Sequence, residues 1–327
     1  MLWFAASMCL ATMLGMMLLY AIVFPAQPHD GKVSPATTEE SEIAGRLAEH
    51  IRAIASTPRN LAHYPALEAA ASYIELQLVT MGYAPAVQDF VVDDRPVRNI
   101  EVVVAPAVDD AQAPTLVIGA HYDSADESPG ANDNGTGVAA LIEMSRLLRG
   151  ASRPRCRLRL VFFVNEEQPY GKTENMGSLR HARALAQSGE RVLGMIALET
   201  LGYFSNEPNS QRFPPPFGLI YPRTGNFVAF VGLLRARRLV HGCVRLFRSV
   251  TDFPAIGGIA PSTISGIDLS DHWAYDKCGF PALMVTDTAP YRNPHYHSEF
   301  DLPETVNYTA LARITTGLTR MAAQIAP

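Results

Sequence analysis

A chain of 327 residues has enough length to bury the core of one large domain or two small ones. Its hydrophobic content of 48% and charged content of 18% are ordinary for a globular protein and exclude a disordered chain. The net charge of −5 gives no basic field of the kind that nucleic acid requires, so we predict no nucleic-acid partner. The basic cluster RARR at 235–238 lies in an apolar helical pattern and is interpreted as the solvated face of a helix.

The beginning of the chain carries a membrane signal. Residues 1–29 contain no Asp, Glu, Lys or Arg, and a helix of about 24 apolar residues rises about 36 Å, enough to cross a hydrocarbon core. Neither a basic n-region nor an A-x-A-like cleavage site is evident, which favours an uncleaved transmembrane anchor over 1–26. Residues 27–40 read as a linker, and their acidic flank favours an extracytoplasmic (periplasmic or extracellular) location for the domain over 41–327.

Helices and strands alternate after the linker. Two helical patterns come first, EESEIAGRLAEHIRAIAS and PALEAAASYIELQLVTMGY, and Gly82 ends the second. Six apolar runs then predict strands: NIEVVVAP, TLVIGAH, RLRLVFFVNEE, LGMIALET, FGLIYP and PALMVTDT. Four helical patterns lie between or after them: GVAALIEMSRLLRG, GSLRHARALAQSG, NFVAFVGLLRARRL and PETVNYTALARITTGLTRMAAQI. This exchange predicts an α/β fold with a mostly parallel, mixed central sheet flanked by helices.

Two further features bear on the organisation of the domain. Residues 202–268 interrupt the alternation with FPPPFG and AIGGIAPSTISG, and we predict that they form an insertion over the sheet, a lid, and not a second domain. Cys243 and Cys278 could pair in an oxidising compartment, but three cysteines after the anchor are not a disulfide framework. Buried free thiols are the preferred interpretation.

Polar side chains stand where several predicted strands end. His121 follows one strand, Glu166 and Glu167 end the next, Glu199 ends a third, and His297 lies in the loop after the last. In a parallel α/β sheet, ligands collect in the crevice outside the carboxyl ends of the strands. Four segments far apart in sequence therefore deliver carboxylates and imidazoles to one edge of the sheet.

Two aspartates extend this cluster. Residues i and i+2 of an extended chain point to the same side, so Asp123 can accept a hydrogen bond from the second ring nitrogen of His121. Asp133 has two possible roles, either as the cap of the following helix or as a rigid carboxylate between two metals. Glu166 and Glu167 are adjacent, so one could bind metal while the other faces the substrate water; a solvated strand end is the alternative.

Four segments together carry a specific resemblance: GAHYDSADESPGANDNGTGVAALIE, FFVNEEQPYGKTENMGS, IALETLGYFS and SDHWAYDKCGFPALMVTDTAPYRNPHYHSEFDLPETVNY. They resemble the co-catalytic zinc exopeptidases of metallopeptidase family 28, over about residues 41–327. That family includes bacterial leucyl aminopeptidases, and glutamate carboxypeptidase and glutaminyl cyclase are distant relatives. The resemblance implies the zinc-exopeptidase (phosphorylase/hydrolase-like) architecture.

The resemblance also implies a set of five metal ligands, carried over by position: His121, Asp133, Glu167, Glu199 and His297. His121 and Glu199 would hold one ion. Glu167 and His297 would hold the other, with Asp133 bridging both. His297 precedes a [ST]-x-x-D pattern in HSEFD, as the family's ligand does, which selects it over His295. Glu199 stands where many family members carry the shorter Asp.

The implied catalytic residues are Glu166, as general acid/base, and Asp123, as the partner that orients His121. Carboxylates and imidazoles suit two Zn²⁺ ions about 3.5–4 Å apart, which polarise a peptide carbonyl and activate a water. Asp271 and His272 of SDHWAY are either wall or substrate contacts, or cap and orient a helix. We predict a membrane-anchored, zinc-dependent aminopeptidase acting on peptide substrates.

Three alternatives remain at the level of sequence. A glutaminyl cyclase would use one metal and an aromatic pocket. A carboxypeptidase would need a cation for the terminal carboxylate, and Arg223 and Arg292 are the loop arginines that could supply it. A non-catalytic ectodomain would usually have lost ligands, whereas all five ligands and Glu166 are present.

Overall fold

The computed structural model describes residues 34–108, 112–150, 153–214 and 217–326, together with the single positions Met8, Thr12 and Gly15. Apart from those three positions, the predicted anchor over 1–26 and residues 27–33 of the linker lie outside the described ranges. Among the described residues, no helix combines the length and the apolar character that a membrane crossing requires. The anchor and the extracytoplasmic location therefore stay predictions.

One mixed sheet organises the described part of the chain. Its eight strands have the order β1-β2-β4-β3-β5-β8-β6-β7, with these bounds: β1 Ala86–Val92, β2 Arg95–Val104, β3 Thr115–His121, β4 Arg157–Phe163, β5 Val192–Glu199, β6 Val228–Gly232, β7 Ala255–Ile259 and β8 Ala282–Thr286. The four central strands β4, β3, β5 and β8 are parallel to one another. Strand β2 pairs antiparallel with β4, and β6 pairs antiparallel with β8. The α/β fold class with a mostly parallel, mixed sheet is confirmed.

Helices cover both faces of the sheet: α1 Thr38–Ile54, α2 Tyr64–Thr80, α3 Thr136–Gly150, α4 Gly177–Ser188, α5 Arg237–Val250, α6 His272–Lys277 and α7 Tyr308–Gln324. One face of β3 packs Leu116 and Ile118 among side chains of α1, α3 and α7. The other face packs Val117 among side chains of α4 and α6. Because alternate residues of β3 enter different cores, all seven are buried, which explains its unbroken apolar sequence.

The first helix illustrates how local sequence sets the element ends. The side chain of Thr37 accepts from the backbone N–H of Glu40, whose carboxylate accepts from the N–H of Thr37 in return. This capping box begins α1. Apolar residues at helical spacing, from Ile43 to Ile54, then turn one side of α1 toward the core.

Two predicted elements were wrong. The segment NFVAFVGLLRARRL is not one helix: Val228–Gly232 forms β6 between β8 and β7, a short 3-10 turn follows at Leu234–Ala236, and α5 begins at Arg237. Pairing with two neighbouring strands decides the conformation of this apolar run. The segment FGLIYP is not a strand, since Phe217–Leu219 is a 3-10 turn. Two strands, β1 and β7, were not predicted at all.

The segment 202–268 lies partly within the sheet. It contributes two strands, β6 and β7, to the central sheet and one helix, α5, to the layer that packs on that sheet. Its remaining loops line an apolar cavity described below. The last helix also begins later than predicted: α7 starts at Tyr308, after the side chain of Asn307 accepts from the N–H of Ala310. Cys156, Cys243 and Cys278 are free thiols.

Gly119 in the middle of β3 allows a close approach between strands. A Cβ atom there would lie 2.2 Å from a ring carbon of Phe163 and 3.0 Å from the carbonyl oxygen of Val161. We expect Gly119→Ala to lower the free energy of unfolding by about 1–3 kcal/mol, measured by urea denaturation followed by circular dichroism. Gly45→Ala is the matched control, because a Cβ on this exposed residue of α1 meets nothing within 4 Å. The control should raise the stability by about 0.5–1 kcal/mol, and equal effects at the two sites would contradict this account of β3.

Candidate metal centre

The residues predicted as ligands meet at the carboxyl end of the central strands. His121 is the last residue of β3 and Glu199 the last of β5. Glu167 follows β4, His297 lies in the loop after β8, and Asp133 lies in the turn Ala131–Gly135 before α3. The strands β4, β3, β5 and β8 are parallel, so their carboxyl ends place side chains from distant segments within reach of one another.

The distances divide the cluster into two halves that share Asp133. His121 Nε2 lies 3.3 Å from Asp133 Oδ1 and 3.4 Å from Glu199 Oε2. His297 Nε2 lies 3.1 Å from Asp133 Oδ2 and 3.3 Å from Glu167 Oε1. Each half offers one imidazole and two carboxylates, with donor atoms within 4.8 Å of one another. Glu166 borders both halves, with its Oε2 atom 3.9 Å from His121 Nε2.

The donor set fits divalent cations. Asp133 Oδ1 and Glu167 Oε1 are buried and receive no hydrogen bond from the described residues, as expected of atoms aimed at an ion. Nitrogen and carboxylate oxygen donors in groups of three are what Zn²⁺ uses in sites that keep a position open for substrate. His121, Asp133 and Glu199 could hold one ion, and Asp133, Glu167 and His297 the other.

The cluster contains more buried carboxylates than imidazoles, so negative charge is in excess there. Burial, and then the neighbouring Asp133, raise the pKa of Glu199 to about 8. Burial also raises the pKa of Glu166 well above its usual range, helped by Glu167 and Glu199. Burial alone would lower the pKa of His297, but hydrogen bonds to Asp133 and Glu167 raise it to about 11. The protein fold concentrates carboxylates here that only protons or metal ions can neutralise.

Asp123 links the glutamates that follow β4 to the ring of His121. Its Oδ1 atom accepts from the backbone N–H of Glu166 at 3.2 Å, and its Oδ2 atom accepts from the N–H of Glu167 at 3.1 Å. Its Oδ1 atom also lies 3.5 Å from Nδ1 of His121. One carboxylate thereby positions the two glutamates after β4 and faces the ring nitrogen of His121 that points away from the cluster.

The alternative role of Asp133 as a helix cap is taken by its neighbour. Asn134 Oδ1 accepts from the backbone N–H of Gly137 in the first turn of α3 and from the N–H of Thr200. Both carboxylate oxygens of Asp133 are left to face His121 and His297. The adjacent residue does the capping, and the aspartate faces the cluster.

Two residues that sequence reasoning missed hold the loop of Asp133 in place. The carboxylate of Asp301 accepts from the backbone N–H groups of Asn132 at 2.9 Å and Asp133 at 3.0 Å. Arg59 is fully buried and donates to the carbonyl oxygens of Pro129 and Gly130. Asp301 is the last residue of HSEFD, so the pattern that selected His297 already contained it. Nothing in the sequence around Arg59 indicates its position.

The choice between two histidines agrees with the structure. His297 lies in the cluster, whereas the ring of His295 packs edge-on against Tyr203, 6.3 Å between ring centroids. The ring of Tyr296 stacks on His297, with 3.9 Å between centroids, and also lines the neighbouring cavity. Tyr296 was not predicted as a site residue, although its position beside the histidine was visible in the sequence.

The segment SDHWAY borders the cluster in a way that the sequence left open. Ser270 Oγ donates to Glu199 Oε2 at 2.8 Å and so orients that carboxylate. Asp271 precedes α6 without a side-chain capping bond, and burial raises its pKa to about 7. His272 Nε2 lies 2.8 Å from the carbonyl oxygen of Ile267, and burial lowers its pKa to about 4. Asp271 is thus not a helix cap, and His272 braces the loop before it.

An apolar cavity of about 90 Å³ opens beside Glu199. Aromatic and aliphatic side chains dominate its wall, among them Phe213, Phe217, Tyr221, Ile256, Ile267 and Met284. The wall is formed mainly by loop residues 213–214, 217–221 and 260–269 and by side chains of β6, β7 and β8. The cavity is therefore formed largely by the segment predicted as an insertion, and it lies against the metal cluster.

Comparison with known proteins identifies the family. The model of peptidase family M28 matches residues 102–221, which carry four of the five candidate ligands. A relative from Escherichia coli (strain K12), "Uncharacterized protein YfbL", is 36% identical over 284 residues, covering 84% of this chain and 85% of the relative. The chain belongs to peptidase family M28. Membership in this family makes the protein a zinc-dependent peptidase, and the ligand cluster offers a donor set that fits zinc.

More distant similarities extend over the fold. A "Probable leucine aminopeptidase" of Arthroderma otae is 27% identical over 208 residues, covering 59% of this chain and 49% of the relative, so the chain spans about half the length of that protein. The LapA aminopeptidase of Legionella pneumophila has the same fold, with a TM-score of 0.67, 17% identity and coverage of 92% and 79%. A glutaminyl cyclase of Fimbriiglobus ruber gives a TM-score of 0.66, 18% identity and coverage of 91% and 99%.

Arg59 offers a test of how the loop of Asp133 is supported. Its guanidinium donates to the carbonyl oxygens of Tyr122, Pro129 and Gly130, a geometry that an ammonium group cannot reproduce. We expect Arg59→Lys to lower the free energy of unfolding by about 2–4 kcal/mol, measured in urea, because buried carbonyl groups lose their donors. Arg52→Lys on the exposed surface of α1 should change it by less than about 0.5 kcal/mol. Equal stability of the two variants would show that Arg59 does not brace the loop.

Proposed function

We propose that the protein is an aminopeptidase that removes N-terminal residues from peptides at a two-zinc centre. The observation that carries this proposal is the shared carboxylate of Asp133, which faces one histidine and one further carboxylate on each side. Two ions held in this way would polarise the scissile carbonyl and lower the pKa of a water. The similarity to the leucine aminopeptidase of Arthroderma otae and to the LapA aminopeptidase of Legionella pneumophila supports the same reaction class.

Glu166 is the residue for proton transfer. It is oriented through its backbone by Asp123, it borders both halves of the cluster, and its raised pKa suits a group that must both take and give a proton. Its carboxylate accepts the proton of the attacking water and then donates it to the nitrogen of the leaving amine. The C–N bond breaks, and the products are a free amino acid and a shortened peptide.

Substrate orientation follows from the charges around the cluster. The α-ammonium group of a peptide is a cation, and the buried carboxylates beside Glu199 create a negative potential at the mouth of the apolar cavity. The side chain of the N-terminal residue would enter the cavity while its amino group stays near the carboxylates. The apolar wall favours leucine-like or aromatic residues over charged ones.

Neither arginine that the sequence offered for the carboxypeptidase alternative is placed to bind a substrate carboxylate. Arg292 is buried between the rings of Phe204 and Phe227, and its guanidinium donates to Gln211 and to the carbonyl oxygens of Tyr203 and Phe227. These contacts commit it to the fold and leave it unsuited to a substrate carboxylate. Arg223 is exposed and forms no contact with the ligand cluster among the described residues.

A glutaminyl cyclase is the second candidate function, because the cavity wall is rich in aromatic rings. Phe213, Phe217, Tyr221, Tyr291 and Tyr296 all line it. In that reaction the α-amino nitrogen of an N-terminal glutamine attacks its own γ-carbonyl carbon and ammonia leaves. Incubation with a glutaminyl peptide, followed by mass spectrometry of the peptide product, distinguishes the two reactions. Hydrolysis releases glutamine and leaves a peptide shorter by one residue, whereas cyclisation releases ammonia and leaves the number of residues unchanged.

Metal content and activity together test the two-zinc proposal. We expect about two zinc ions per chain by mass spectrometry, and loss of leucyl-p-nitroanilide hydrolysis on chelation with recovery on adding zinc. Glu166→Gln should keep the zinc and lower kcat by roughly 10²–10⁴, because only proton transfer is removed. Glu199→Ala should lose one ion. A chain that binds a single zinc, with Glu199→Ala unchanged, would contradict the two-metal centre while leaving a one-metal enzyme possible.

The cavity predicts which residues are removed fastest. Ile267 is half-buried and lines the cavity, so Ile267→Trp should narrow it. We expect kcat/KM for leucyl substrates to fall by about 10–100-fold, with alanyl substrates changed by less than about 3-fold. Ile264→Trp, in the same loop but outside the cavity wall, is the control and should alter neither. Equal losses for leucyl and alanyl substrates would show that the cavity does not hold the N-terminal side chain.

A further inference from the structure

The exposed face of α5 is strongly basic. Arg237, Arg238 and Arg245 are exposed on it, and Arg235 is exposed in the turn just before it. The helix sequence RRLVHGCVRLFRSV contains no acidic residue, although the whole chain has a net charge of −5. Arg235 lies 3.5 Å from Asp276, but no described residue forms an ion pair with the other three arginines. This basic face comprises Arg235, Arg237, Arg238 and Arg245.

Two neighbouring side chains indicate the charge and the polarity of the surface around the basic face. The pKa of His241 is lowered, by burial and then by the positive charges of Arg237 and Arg245. Leu234, at the start of the same segment, is 60% exposed. Uncompensated positive charge with an exposed apolar side chain beside it is the composition of helices that bind membrane surfaces.

The continuously described part of the chain starts at Ser34, next to the carboxyl end of α5. The backbone N–H of Ser34 donates to Asp252 at 3.1 Å, two residues after the last residue of α5. The carbonyl oxygen of Ser34 accepts from Arg313 on α7. These two contacts hold Ser34 beside the carboxyl end of α5. That position is about two turns from Arg245 and about 20 Å along the helix from Arg237.

Seven residues, Asp30 and Lys32 among them, separate Ser34 from the apolar, uncharged stretch 1–26 that the sequence predicts as an anchor. The residues between that stretch and Ser34 span at most about 25 Å when fully extended. A membrane that holds the apolar stretch is therefore never far from α5. Such tethering raises the local concentration of lipid headgroups at the basic face, so weak contacts become occupied.

We propose that the basic face of α5 docks on the surface of an anionic phospholipid membrane. Arginines near such a surface attract its phosphate groups additively, and the attraction is screened by salt. A nucleic acid would meet the same charges. It is disfavoured because the chain as a whole is acidic and because the sequence predicts a membrane anchor before Ser34, which is held at the end of α5.

Arginine footprinting of the full-length chain tests the proposal. The protein is reconstituted into vesicles of phosphatidylcholine alone or with about 30% phosphatidylglycerol, and treated with a membrane-impermeant arginine reagent. We expect Arg237, Arg238 and Arg245 to react at least about 5-fold more slowly in the anionic vesicles, with the difference lost at about 0.5 M salt. Two exposed control arginines should react at equal rates in both: Arg183 on α4, which covers the opposite face of the sheet from α5, and Arg95 in β2, near the opposite edge of the sheet from β6 and β7.

Matched charge-reversal variants sharpen the result. Replacing Arg237, Arg238 and Arg245 by Glu should remove the lipid-dependent protection of Arg235. Replacing Arg95, Arg153 and Arg183 by Glu changes the net charge equally and should leave that protection intact. Equal reaction rates in the two kinds of vesicle would overturn the proposal, as would protection by duplex DNA on neutral vesicles that matches the effect of phosphatidylglycerol. If the first variant fails to fold, the comparison of lipids on the native chain still decides.

Discussion

Repulsion between carboxylates buried at one edge of the sheet is the constraint on which the rest of the structure depends. Asp133, Glu167 and Glu199 are each less than a tenth exposed and share two imidazoles. Left alone, such a group would take up protons or open the fold, because a buried charge without a partner is costly. The surrounding elements hold it closed: rigid strands supply the ligands, and Asp301 and Arg59 fix the loop between them. The arrangement is suited to bind cations, which would neutralise these carboxylates.

Much of the fold and of the candidate site could be predicted from the sequence, for identifiable physical reasons. The central strands are buried on both faces, so their apolar runs stand out, and the polar residues at their ends mark the functional edge. His121, Glu166, Glu167, Glu199 and His297 were found in this way, while Asp133 was left with two possible roles. The family resemblance then implied that Asp133 bridges two metals and implied the division of the ligands between them. The structure brings all of them together.

What sequence reasoning missed depends on contacts between distant segments. The run Val228–Gly232 is as apolar as a helix core, and only its two strand neighbours decide that it is extended. Arg59 has no local pattern, since its partners are backbone carbonyls some 70 residues away. Asn134 and Asp133 are equally good caps by composition, and the close approach of Thr200 determines which one faces the metal cluster.

The origin of the cavity wall has a consequence for how such a protein can change. His121 and Glu199 stand on strand ends that the whole core fixes, whereas much of the wall beside Glu199 comes from loop residues 213–214, 217–221 and 260–269. Loops tolerate substitution and insertion far better than buried strands do. In the function that we propose, bond-breaking chemistry and substrate preference therefore depend largely on different parts of one chain. New preferences can arise by exchanging the wall while the reactive centre stays untouched.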